Sequence, residues 1–382
     1  MLLLDNRLLV NAFLALVVAL VVSFLTSPLV KNFAYKVGAI DVPKDARRMH
    51  KVPIPRLGGL AIFIGFMVGI LLCADINRQM QGILLGAVVI VVLGVVDDIT
   101  PLPAKLKFVV QILAALIPVY HGVVIKAVSN PNLFSDNAYW QMGGLSIPIT
   151  VLWIVAITNS VNLIDGLDGL AVGVSTISAT TVLVISLLVS DMQVAIAMAA
   201  LVGSCVGFMP YNLNPAKMFM GDTGATFLGY ILATMSIQGL FKFYAIISFA
   251  VPFLILGLPI FDTAFAFIRR IAHGQSPMQA DRSHVHHRLI DMGLNQKQAV
   301  ATLYVISAIL GLSAVVLTTS GELKAMVLLL ALCVVGVVAA RVVFPKEVKE
   351  EFHEEMEELK EHSHPQEAPE QDSPEAAEKE EP

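Results

Sequence analysis

Charge is scarce in this chain. Only 14% of its 382 residues are Asp, Glu, Lys or Arg, well below the roughly 25% of soluble globular domains, so most of it cannot form a water-facing surface. Cysteine is scarcer. Cys73, Cys205 and Cys333 each lie in an apolar run with no CxxC partner, which excludes a disulfide framework and a zinc ribbon and leaves packing as their simplest role. The first apolar segment lacks a basic n-region and a small-residue cleavage site, so it reads as a retained span and not a removed signal peptide. A convincing internal repeat is missing too. That counts against a secondary transporter, the competing class, whose carboxylates would gather near the bilayer midplane.

What is present is apolar side chain, 56% of the residues, with a mean hydropathy of +0.76. This predicts an all-α polytopic integral membrane protein. About eleven transmembrane helices can be drawn, near residues 8–28, 57–74, 82–96, 108–125, 147–161, 169–190, 192–210, 224–240, 243–268, 298–319 and 324–344. With the N-terminus outside, all 25 Lys and Arg fall on the inner side except Arg7, Arg78, Lys126, Lys242 and Lys324. Basic residues are held in the cytoplasm during insertion, so the C-terminus is expected to be cytoplasmic. Residues 1–344 form the expected transmembrane domain. The tail, 345–382, holds 15 acidic and 4 basic residues; its first part suits a charged helix, and its Pro- and Glu-rich remainder is expected to be disordered. His353, His362 and His364 there read as solvated.

Seven aspartates, Asp97, Asp98, Asp165, Asp168, Asp222, Asp262 and Asp281, lie at or just beyond the ends of apolar segments, all on the cytoplasmic side of this threading. Carboxylates at membrane depth are costly and mark sites. Several on one face, with lysines and histidines beside them, suggest magnesium-dependent chemistry on a phosphorylated substrate.

The adjacent carboxylates of Asp97 and Asp98 repel one another and are tolerated best beside a cation; the plainer alternative is an interfacial cap. Lys105 and Lys107 follow closely and can hold phosphate as point charges. The run NLIDGLDGL at 162–170 is the most specific in the chain. Its Gly166 and Gly169 argue for a broken or tightly turned helix that points Asn162, Asp165 and Asp168 toward one cavity. In FMPYNLNPAKMFMGDT at 208–223, Asp222 is placed to complete a magnesium shell or to cap a helix, and Phe219 to face a nucleobase or to anchor the fold. The first inner loop, 31–56, is basic and ends in Arg56, Gly58 and Gly59, which suits a lipid-facing anchor or the border of an anionic substrate site. Paired glycines there also allow close backbone approach. After Asp262, the loop DRSHVHHR at 281–288 brings His284, His286, His287 and Arg288, a set better suited to phosphate or sugar than to zinc.

Together, NLIDGLDGL, the Asp97-Asp98 pair, MGDTG at 220–224 and DRSHVHHRL at 281–289 resemble the bacterial polyprenyl-phosphate N-acetylhexosamine-1-phosphate transferases, over about residues 10–340. The His-Val-His-His form is similar to the undecaprenyl-phosphate N-acetylglucosamine-1-phosphate transferases that start teichoic acid and O-antigen type glycans. Phospho-N-acetylmuramoyl-pentapeptide transferase, which shows Pro-His-His-His there, ranks second. The resemblance implies UDP-GlcNAc and undecaprenyl phosphate as substrates, with Mg2+ or Mn2+ as cofactor, in a bacterial plasma membrane with the active site on the cytoplasmic face. It implies Asp222 as metal ligand, with Asp97 and Asp98 as catalytic residues close to the metal and the lipid phosphate. It further implies Asn162, Asp165, Asp168 and Asn212 in the nucleotide cavity, Phe219 stacked on uracil, and His284, His286, His287 and Arg288 on the diphosphate or sugar, with Asp262 also binding substrate. A homodimer fits the resemblance, and no nucleic acid does.

Overall fold

The computed structural model describes residues 6–43, 52–129, 139–239, 250–272 and 284–319, all within the unit Met1–Ala325. The expected span at 324–344, the acidic tail, Cys333, residues 44–51 of the first loop and Asp281 lie outside the described residues.

Nine of the expected spans coincide with single helices: α1 (Asn6–Val37), α2 (Gly58–Cys73), α3 (Arg78–Ile99), α4 (Ala104–Tyr120), α5 (Ser146–Leu163), α6 (Leu170–Leu188), α7 (Met192–Asn212), α8 (Gly221–Gly239) and, after the pieces described next, α12 (Gln296–Thr319). The expected span 243–268 is instead two pieces, α9 (Ala250–Ile255) and α10 (Gly257–Ala272). Pro259 has no N–H for the Ile255 carbonyl and its ring crowds that oxygen. Gly257 weakens the helix at the same point. A short α11 (Val285–Asp291) carries the histidine motif. Two small antiparallel hairpins qualify the all-α expectation: β1 (Ile40–Asp41) with β2 (Ile54–Pro55), and β3 (Ala127–Ser129) with β4 (Tyr139–Gln141).

By length and composition six of the described helices can cross a membrane, α1, α3, α5 with its preceding turn, α6, α7 and α12. The protein is an all-α, multi-pass membrane protein. Its packing follows from lipid as solvent. On α1, Phe13, Leu25 and Leu29 point outward, while Ala12, Ala15, Ala19, Ser23 and Ser27 are buried against α7 and α2. Lipid tails are as apolar as leucine, so helices associate through close contact of small residues and interhelical hydrogen bonds. The Ser23 hydroxyl donates one to the Ser204 carbonyl at 2.7 Å.

At the centre stands α8, buried at every residue from Thr223 to Gly239 and packed by α3, α5, α2 and α6. Its N-terminus meets a backbone ledge. The amide of Phe219 donates to the Pro55 carbonyl (2.8 Å), Gly58 to Phe219 (2.9 Å), Gly59 to Met220 (2.8 Å) and Arg56 to Ala39 (3.1 Å). Here the paired glycines have their reason, because a Cβ on Gly59 would lie 2.0 Å from the Gly224 nitrogen. Elsewhere local sequence sets the helix starts. Asn295 and Gln298 exchange side-chain and backbone bonds at 3.0 and 2.9 Å ahead of α12, a reciprocal capping box.

Candidate active site

Chain segments that are distant in sequence converge on the N-terminus of α8. From the last turn of α3, Asp97 and Asp98 diverge, since successive residues on a helix point about 100° apart. Asp98 faces α8. One of its oxygens accepts from Arg56 Nε (3.1 Å) and the Asp222 amide (3.0 Å), and the other from the Thr223 amide (3.0 Å) and hydroxyl (2.6 Å). It therefore caps α8 from a neighbouring helix, which the sequence reading did not anticipate. Gly221 makes room for it. Its φ is +71°, and a Cβ there would lie 2.4 Å from Asp98 Oδ2.

Asp97 faces the other way, toward α4. Its Oδ1 accepts from the Leu102 amide at 2.8 Å, and its Oδ2 from Lys107 Nζ at 3.0 Å. The same ammonium donates to Asp222 Oδ2 at 3.0 Å. Two carboxylates from different helices thus share one cation, with Arg56 at 4.0 Å from Asp222 on the far side. Lys107 is turned to carboxylates in this arrangement and not to open space, and Lys105, exposed, stands outside the cluster.

Three carboxylates against two cations leave an excess of negative charge, and Asp165 adds to it. Withdrawal from water, then the proximity of Asp222 and Asp98, pushes its carboxyl up to about 7. A site that resists one more negative charge and already grips a cation between two carboxylates has the donor chemistry of a magnesium site. Magnesium takes oxygen ligands, keeps several waters and needs only one or two carboxylates. Asp97 and Asp222 are the residues that fit.

The 162–169 turn is anchored behind this cluster. Asp168 Oδ2 accepts from Asn214 Nδ2 and from the Ala216 amide, each at 3.0 Å, and Asn214 also donates to Gln296 on α12 at 2.7 Å. Buried Asn212 joins the Gly169 amide (3.2 Å) to the Met218 carbonyl (3.1 Å). Asp168 and Asn212 thus hold two loops together; Asn162, Asp165 and Asp168 are each partly accessible, and Asn212 is buried. Phe219, half-buried, sits on the ledge three residues before Asp222.

The histidine motif reaches this turn from α10. The Asp262 carboxylate meets His284 Nδ1 at 2.8 Å and accepts from the Val285 amide at 2.7 Å. The rings of His284 and His286 are parallel to within 3° at 5.7 Å, and His287 follows His286 at 4.3 Å. His286 packs on Gly166, where a Cβ would meet its Nε2 at 2.2 Å. Burial, then His287, holds the His286 ring down to about 4. Arg288 lies over the Phe265 ring at 5.2 Å.

The family model of glycosyl transferase family 4 matches residues 80–240, which run from Asp97 through the 162–169 turn to Asp222. A Bacillus subtilis (strain 168) protein named "Probable undecaprenyl-phosphate N-acetylglucosaminyl 1-phosphate transferase" is 42% identical over 83% of this chain and 87% of its own. This chain belongs to glycosyl transferase family 4. A Mycobacterium tuberculosis (strain H37Rv) decaprenyl-phosphate N-acetylglucosaminephosphotransferase is 32% identical over 77% of this chain and 79% of its own. A Heliobacterium modesticaldum phospho-N-acetylmuramoyl-pentapeptide-transferase is 36% identical, but over only 51% of this chain and 63% of its own.

In this family 4 chain the motifs do not single out Thr223, Asn214 or Gln296, and Arg56 enters them as part of a basic loop that anchors to lipid or borders an anionic substrate. A threonine following an aspartate at a helix start is a capping signal and could have marked Thr223. The partners of Asn214 and Gln296 lie on other elements, and no local pattern announces them.

Proposed function

We propose that this protein transfers GlcNAc-1-phosphate from UDP-GlcNAc to undecaprenyl phosphate, giving undecaprenyl-diphospho-GlcNAc and UMP, the step that initiates teichoic acid or another cell-surface glycan. The observation that carries this reading is the single cation held at 3.0 Å by both Asp97 and Asp222 at one end of a membrane bundle. The extensive identity to the Bacillus relative supports the choice of sugar and lipid.

Asp97 and Asp222 would hold magnesium, which when bound supplies charge shielding between two anionic reactants. Lys107 and Arg56 keep the surrounding carboxylates compensated and offer donors to phosphate oxygens. The lipid phosphate oxygen attacks the β-phosphorus of UDP-GlcNAc in line, the bond to the UMP oxygen breaks, and UMP leaves. A phosphate monoester has a second pKa near 6, so the attacking group is already largely a dianion and needs no strong base. Asp98, with both oxygens engaged by Arg56 and the start of α8, serves to fix Asp222 in place. Phe219 is offered to the uracil, Asn162 and Asp165 to the nucleotide cavity, and His284, His286, His287 and Arg288 to the diphosphate or sugar. The charge distribution supports a cytoplasmic site, an outside N-terminus and eleven spans. The lipid enters sideways between helices, because about 0.8 kcal/mol per methylene keeps its chain in the bilayer.

Purified protein, undecaprenyl phosphate and magnesium are expected to release UMP from UDP-GlcNAc and not from UDP-GalNAc or UDP-MurNAc-pentapeptide. Preference for the last would move the assignment to peptidoglycan synthesis. A phosphoryl adduct trapped on Asp97 or Asp98 in the absence of lipid would overturn direct displacement.

A further inference from the structure

The Asp262 carboxylate is buried, 4% exposed, and both its oxygens are taken, one by His284 Nδ1 and one by the Val285 amide. With both oxygens engaged inside the fold, it has no acceptor left to offer a sugar nucleotide. It does something else. A carboxylate only accepts hydrogen bonds, so its contact with Nδ1 places the hydrogen on that nitrogen and leaves Nε2 as the nitrogen through which His284 meets a ligand. The His284 ring is in turn parallel to His286, whose Nε2 has no hydrogen-bond partner among the described residues and abuts Gly166 in the turn beside Asp165. Arg288, from the same arm, lies over Phe265 one turn along α10 from Asp262. One face of α10 therefore holds both ends of the arm.

We propose that Asp262 is a positioning residue: from α10 it selects the tautomer of His284 and seats the histidine arm against the 165–169 turn, without touching substrate. This rests on the transferase reading given above. Its physical content is the relation of a buried carboxylate to a histidine in a hydrolase triad, where Asp to Asn substitution inverts the tautomer and costs about 10,000-fold in kcat while the fold survives.

Asp262→Asn is the informative variant, because its amide oxygen still accepts from Val285 while its NH2 faces Nδ1 and forces the hydrogen to Nε2. In detergent-solubilised full-length protein, Asp262→Asn is expected to melt within about 3 °C of wild type, to lose about 100-fold or more in kcat and to change KM for UDP-GlcNAc less than about threefold. Combined with His284→Ala it is expected to add almost nothing to the loss from His284→Ala alone, as groups acting as a unit do. Losses that multiply, or an Asp262→Asn enzyme with a third or more of wild-type kcat, overturn the proposal. Nitrogen-15 histidine NMR provides a readout independent of turnover. The resonances that vanish in His284→Ala should report Nδ1–H in wild type and Nε2–H in Asp262→Asn; an unchanged tautomer also overturns it. If wild type releases no UMP from UDP-GlcNAc, the transferase reading fails, while the NMR comparison still decides what Asp262 does to His284.

Discussion

The acidic cluster and the histidine arm reach the same turn by opposite electrostatics. Around Asp97, Asp98 and Asp222 each carboxylate has a partner in Lys107, Arg56 or the amides that open α8, yet three carboxylates face two cations, so the cluster is a cradle with negative charge to spare, fixed to the central helix. The arm at 284–288 is organised by one carboxylate, Asp262, and its middle ring, His286, is held neutral at physiological pH by burial. The cradle is built to grip a cation, and the arm to present oriented rings. A division of this kind suits a reaction that must neutralise two phosphates and also orient the group passing between them.

The strongest way to break this comparison is to remove the cradle's accessible carboxylate. Asp222→Ala should abolish UMP release, at least about 1,000-fold by the scale of lost electrostatic stabilisation, whereas Asp97→Asn, which retains an oxygen toward Lys107, should cost less. Equal losses would deny that the two carboxylates are distinct. Next in size is Asp98→Ala. It strands Arg56 and uncaps α8, and loss of one partner of a buried pair costs about 3 kcal/mol. The melting temperature should fall clearly here but hardly at all in Asp97→Asn; identical melting of the two variants would remove the capping role of Asp98.

The smallest effect concerns pH, where the two regions should pull in opposite directions. His286 titrates near 4 when folded against an ordinary 6.5, so the folded state resists its protonation, and stability is lost as pH falls through that window. Asp165 titrates near 7 when folded against an ordinary 3.8. The folded state binds that proton more tightly, and stability is gained over the same descent. Between pH 7.5 and 4.5 the melting temperature should therefore drop less, or rise more, in His286→Gln than in wild type, and drop more in Asp165→Asn. The reverse order would contradict both assignments.

Much of the fold was legible because hydropathy is a local property. Nine of the eleven drawn spans became single helices, eight of them within about five residues of their expected ends, while α1 runs on to Val37, nine residues past its expected end. The span drawn at 243–268 breaks at Leu256, just ahead of Gly257 and Pro259, a local signal that an average over apolar residues hides. The candidate site was legible as a set of residues but not as a set of roles. NLIDGLDGL, and for Asn212 the family resemblance, promised several polar groups in one cavity, yet Asp168 is turned to Asn214 and Ala216, and Asn212 is consumed in joining Gly169 to Met218. Lys107, read as a phosphate holder, bridges Asp97 and Asp222.

Apolar segment lengths, the sidedness of Lys and Arg, and the chemistry of the polar residues at segment ends are written along the chain, since each depends on a residue and its near neighbours alone. The parting of Asp97 and Asp98, one toward Lys107 and the other toward the start of α8, is not. Both are identical side chains at adjacent positions, and what each becomes depends on which helix lies across from it. That neighbour is chosen by the packing of the whole bundle around α8.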